Sequence, residues 1–273
     1  PFRTGLNRPV RHCVLMKLLS NLFTSTLGRK YIMAGSGAVL GLFVVGHLIG
    51  NLQIFLPPAA INRYAHFLQS LGEVLWGIRL FMLTTIGLHI WAAISLTLEN
   101  RAARPERYGS GYAPYAASLA SRTMLISGLG VAAFLIYHLL HFTVRLEDIN
   151  GTDILIRQLK DPVTGYPDCY AMMVAGFSVV PVSLFYLVGV GLLCFHLSHG
   201  IQAMFQSLGL RNPAYAPLIT KAAKGIALVL FLGYAAIPTS VFVFGHGKAY
   251  LQEVINAAPP AAAVAAAGKD LVK

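Results

Sequence analysis

Five apolar runs, each long enough to cross a bilayer, decide what this chain can fold into. A membrane helix needs about 20 apolar residues to span roughly 30 Å of hydrocarbon. The runs lie at about 31–55, 75–98, 123–146, 172–208 and 222–244. Arg29 and Lys30 precede the first and Pro57-Pro58 stops it. Glu99-Asn100-Arg101 closes the second, Arg122 opens the third, and Arg211-Asn212-Pro213 ends the fourth. Only 11% of residues are charged, against about a quarter in soluble domains. The expected fold class is therefore all-α: an integral membrane protein of five transmembrane helices. The expected division is an N-terminal cytoplasmic or interfacial segment at 1–30, a membrane domain at 31–244 and an external tail at 245–273. Within the first segment, Leu15, Leu18, Leu19, Leu22 and Phe23 recur at helical spacing, which suits an interfacial helix.

The formal net charge is +11, and its distribution carries the meaning. Basic residues sit between apolar runs, where they act as orientation signals and headgroup contacts. No nucleic-acid partner is expected from that pattern. The N-terminal segment, the second-to-third loop and the fourth-to-fifth loop form one face. It carries thirteen basic residues against two acidic ones, Glu99 and Glu106, whereas the other face has eight of each sign. The positive-inside rule puts the N-terminus in the cytoplasm and the C-terminus outside. Three scattered cysteines, Cys13, Cys169 and Cys194, offer no C-x-x-C pattern. That argues against a thiolate-held cluster or covalent c-type haem in this chain.

Six of the nine histidines fall inside apolar runs: His47, His89, His138, His141, His196 and His199. An ionisable side chain in hydrocarbon is costly and usually functional. A lone one is as readily a helix–helix hydrogen bonder, but here four successive spans each carry at least one. With about 1.5 Å of rise per residue, His47 and His138 lie past the middle of outward-running spans. His89 and His196 lie past the middle of inward-running ones. Two levels of paired imidazoles match a four-helix core holding two bis-histidine b haems. His138 and His141 are three apart, as are His196 and His199, so spacing alone leaves the choice within each pair open.

The residues at this point resemble a known family. The stretches are Gly28-Arg29-Lys30, His47-Leu48-Ile49-Gly50-Asn51-Leu52 and Asn62-Arg63-Tyr64-Ala65-His66-Phe67-Leu68. They continue with His89-Ile90-Trp91-Ala92-Ala93, Phe134-Leu135-Ile136-Tyr137-His138-Leu139-Leu140-His141-Phe142 and Phe195-His196-Leu197-Ser198-His199-Gly200. In order and spacing, over about 27–210, they are similar to the di-haem cytochrome b membrane anchor of bacterial succinate dehydrogenases and fumarate reductases. The resemblance implies iron ligands at His47 and His138 for an outer haem, and at His89 and His196 for an inner one. His141 and His199 are the alternates. The family's fourth-helix ligand precedes a glycine by four residues, as His196 precedes Gly200.

The resemblance further implies a flavoprotein subunit with covalent FAD and an iron–sulfur subunit, which carry the succinate chemistry. It also implies quinone as membrane substrate, with menaquinone the common type, and a bacterial cytoplasmic-membrane location. A higher oligomer of the complex is compatible with it. Quinone chemistry needs a proton-exchanging group within hydrogen-bond reach, for which His66 and Glu73 are the candidates. Arg29, Lys30 and Arg122 are candidate propionate contacts, or plain membrane anchors. Arg79 either snorkels or meets a propionate. Two other readings compete: a hydrogenase or formate dehydrogenase cytochrome b, and a histidine-lined transporter. The first usually has four spans, and the second predicts acids inside the bundle, which these spans nearly lack.

Overall fold

A computed structural model describes residues 20–103, 123–149, 151–152, 154 and 156–257. Most of the expected interfacial helix, Arg122 and the end of the tail lie outside the described residues. The first span is α1 (Thr26–Asn51), which tightens into a 3-10 turn at Leu52–Phe55. Next come α2 (Pro58–Ser70) and α3 (Glu73–Ala102). Then α4 (Met124–His138) continues as a π-helical turn at Leu139–Val144. They are followed by α5 (Cys169–Ser178), α6 (Val180–Ser207), α7 (Ala216–Phe242) and α8 (Lys248–Ala257). Five of these segments are long and apolar enough to cross a membrane. Between 11% and 33% of each span's apolar window is buried within the protein. Side chains such as Leu42, Ile126 and Val229 stay exposed, a surface that only lipid covers without penalty.

Hydroxyl groups inside the spans are satisfied locally, as hydrocarbon demands. Thr85 and Thr97 donate to Phe81 O at 2.8 Å and Ala93 O at 2.7 Å, four residues back.

One sequence-based boundary needs correction. The fourth run is not one helix from 172 to 208. It breaks at Val179, whose backbone is extended (φ −85°, ψ 111°). Pro181, in the first turn of α6, supplies the cause: it has no N–H to give Phe177 O, and its ring clashes with the carbonyl four residues back. Ser183 repairs the break, its Oγ donating to Phe177 O at 2.7 Å. The connection between the first two spans is a helix, α2, with Pro58 at its first position, where a missing N–H costs nothing. Beyond the fifth span, α8 packs and buries Leu251 and Val254.

Contacts divide the chain into two compact units. One gathers the chain up to Val44, Trp76–Leu125 and Leu197–Ile226; the other gathers Val45–Leu75, Ile126–His196 and Ala227 onward. In the first, Arg29 pairs with Glu99, which also accepts from Thr26 Oγ1 at 3.1 Å, and the Arg29 guanidinium lies 5.9 Å from the Trp91 ring.

The second unit holds a buried polar network. Asp161 accepts from Asn62 Nδ2 at 3.1 Å and from the N–H groups of Val163 and Thr164. Asn62 Oδ1 accepts from Tyr170 N at 3.0 Å. Asp168, 2% exposed, caps α5 by accepting from Ala171 N at 2.7 Å and takes the Tyr250 hydroxyl at 2.6 Å. Burial, then the Asp168 charge, raises the Tyr170 hydroxyl above its ordinary range. Burial, helped by Asp168, pushes the Cys169 thiol up to about 11, so at neutral pH it is a protonated packing residue. Asp168→Ala removes a cap and a charge-assisted bond together. The expected loss is about 2–4 kcal/mol of thermal stability in detergent. Asp168→Asn, which keeps an acceptor for Ala171 N, should lose less than half of that.

Candidate functional site

In the second unit two histidines from different spans meet. His47 near the end of α1 and His138 at the end of α4 have ring centroids 5.7 Å apart and planes 85° apart. Two imidazoles binding one metal ion from opposite sides, through bonds of about 2 Å, have centroids about 6 Å apart. That separation is compatible with the two imidazoles holding a single metal centre, such as a haem iron, which would need only two protein ligands. No cluster of three or more His, Cys, Asp or Glu side chains suited to a metal ion occurs among the described residues.

Tyr186 of α6 organises this end of α4. Its hydroxyl lies 3.4 Å from His138 Nδ1 and 3.0 Å from His141 Nδ1. His141 is fully buried and stacks on Phe142 at 4.1 Å. A Cβ at Gly176 of α5 would lie 2.9 Å from its Cε1, so the glycine leaves room for this ring. His141 thus packs on α5, while His138 faces His47. The π-helical turn begins directly after His138, and such turns recur at functional sites. It ends at Arg145 in left-handed backbone (φ 60°). Arg157 covers the carbonyls exposed there, donating to Arg145 O at 2.7 Å and Val144 O at 3.0 Å.

His89 belongs to the first unit, where its Nδ1 lies 3.0 Å from Ser36 Oγ of α1. His196 belongs to the second unit, where its Nδ1 lies 3.2 Å from Ser127 Oγ of α4. His199 is half-buried in the first unit. His66 is exposed on α2, its ring 4.0 Å from that of Tyr166. Glu73 is exposed in the first turn of α3, where a carboxylate suits the helix dipole. Among the candidate propionate contacts, Arg29 is engaged by Glu99, and Lys30 is exposed early in α1. Arg79 lies over the Trp76 ring at 5.0 Å.

Sequence reasoning missed the hydroxyl partners Ser36, Ser127 and Tyr186. The available signal was a polar side chain in an apolar run on a span neighbouring a histidine. It also missed His246, whose Nε2 donates to Ile54 O at 2.9 Å and lies 3.3 Å from the Tyr170 hydroxyl.

A family model described as succinate dehydrogenase/fumarate reductase transmembrane subunit matches residues 97–234, just over half of the chain. The matched stretch holds His138, His141, His196 and His199, whereas His47 and His89 precede it. No curated protein and no solved structure matches.

Proposed function

Because this chain belongs to the succinate dehydrogenase/fumarate reductase transmembrane-subunit family, we propose that it carries electrons between an iron–sulfur partner and membrane quinone through b-type haem. The observation that carries this reading is the facing of His47 and His138 from two spans at 5.7 Å. When bound, the haem supplies one-electron transfer. The chain's own residues would hold it: His47 and His138 as its iron ligands, with the Tyr186 hydroxyl orienting the ring of His138 through Nδ1. His89 and His196 are proposed as the ligands of a second haem, on their depths along the spans and on the motifs around them. The resemblance favours them over His199, and it favours His138 over His141.

The loop charges support a cytoplasmic position for the thirteen-cation face; the resemblance adds a bacterial membrane, with the iron–sulfur subunit on that face and the flavoprotein and its FAD beyond. Quinone, of the menaquinone type, reacts toward the opposite side, where His66 on α2 and Glu73 at the start of α3 are the candidates to exchange its protons. Both are exposed, so a proton can pass between them and solvent.

The test is electrical. Electrons crossing between two haems move charge through the membrane field, worth about 2.3 kcal/mol per charge per 100 mV. Turnover of the whole complex in proteoliposomes is expected to change with an imposed potential and to lose that dependence when an uncoupler collapses it. A rate indifferent to the potential would place the quinone on the cytoplasmic side and remove His66 and Glu73 from the reaction.

A further inference from the structure

Two of the proposed ligands are held by the same small device. Against His89, α1 presents Ser36 followed by Gly37; against His196, α4 presents Ser127 followed by Gly128. In each case the serine oxygen sits at Nδ1, at 3.0 and 3.2 Å. In each case the glycine lies beside the same ring carbon. A Cβ at Gly37 would be 3.3 Å from His89 Cε1, and one at Gly128 would be 3.4 Å from His196 Cε1. The two devices lie in different units and on different helix pairs.

The proton on Ser36 can be traced. Its hydroxyl lies 2.7 Å from Ile32 O and 3.2 Å from Met33 O. A carbonyl only accepts, so the single hydroxyl proton is spent on the helix backbone. The oxygen then faces His89 Nδ1 as an acceptor, and Nδ1 carries the hydrogen. An imidazole protonated at Nδ1 keeps its lone pair on Nε2, the form that binds a metal.

We propose that Ser36 and Ser127 are positioning residues that fix His89 and His196 in the Nε2-coordinating tautomer and set the ring plane, with Gly37 leaving space for the His89 ring. The inference rests on the reading of His89 and His196 as iron ligands. An acceptor on Nδ1–H makes the imidazole a better electron donor and so favours the ferric state. Loss of the hydroxyl is expected to raise the potential of the haem concerned and to weaken its retention by about 10- to 100-fold.

The experiment uses the whole purified complex. Redox titration and low-temperature EPR of Ser36→Ala should show one haem shifted upward in potential with altered g-values, and the other unchanged. Ser36→Thr, which keeps the hydroxyl, should restore both properties. Ser127→Ala puts the same question to His196 from another helix pair, so one variant that does not assemble leaves the other to decide. Gly37→Ala, which keeps Ser36 but crowds the ring, should move the g-values. Unchanged potentials and g-values in an assembled Ser→Ala variant overturn the proposal. His89→Ala separates the two levels of inference: if it retains the full haem content, the ligand reading itself has failed.

Discussion

Alanine at His47 or at His138 is expected to remove one and the same haem, lowering the content of the purified complex from about two to about one per chain. The two rings face each other at 5.7 Å from helices far apart in sequence, so either loss leaves a single imidazole on one side of the iron. The remaining haem keeps its spectrum, because its proposed ligands sit elsewhere along the spans. His141→Ala is the discriminating control. That ring is buried against Phe142 and Gly176 and reaches Tyr186 through Nδ1, so its removal should leave both haems bound while lowering stability. Pyridine haemochrome quantification and the reduced-minus-oxidised spectrum read the result. Full haem content in His138→Ala, with loss in His141→Ala, would transfer the ligand role to His141 and undo the pairing with His47.

A single methyl group at Gly189 should do comparable damage without touching a histidine. Gly189 is buried on α6, and a Cβ there would lie 2.7 Å from Phe134 Cε2 and closer still to the rest of that ring edge. The obstacle is the body of an aromatic ring, not the tip of a flexible chain. Phe134 cannot simply turn aside, because it stands 5.3 Å from Tyr186 and 6.1 Å from both Phe185 and His138, centroid to centroid. Overpacking of this kind costs about 1–3 kcal/mol, occasionally more, and Gly189→Ala is expected at the upper end. The displaced ring presses on Tyr186 and His138, so the haem proposed to bind at His138 should be partly lost as well. Combining Gly189→Ala with Phe134→Ala should recover at least about 1 kcal/mol relative to the sum of the single losses, as expected for side chains in direct contact. Thermal unfolding in detergent measures all three variants. Wild-type stability and haem content in Gly189→Ala would show that α4 and α6 are not locked at this crossing.

The five spans were legible in the sequence because lipid imposes a rule that needs no tertiary information. Backbone groups must pair within the segment, so about 20 consecutive apolar residues can only be a spanning helix. The histidines stood out as candidates for a related reason, since imidazoles in four successive apolar runs call for a use. Helix ends and breaks were less accessible. The break at Val179 arises from Pro181 within an otherwise apolar run, and the widening after His138 into a π turn has no hydropathy signature. Which of His138 and His141 faces His47 could not be read from a spacing of three, because both fall on nearly the same helix face. The π turn and the packing of His141 into the gap left by Gly176 decide it. The serine and tyrosine partners of the imidazoles likewise come from residues 45 to 69 positions away. Local pattern reports what a segment must bury; only the folded bundle determines which distant side chain meets it.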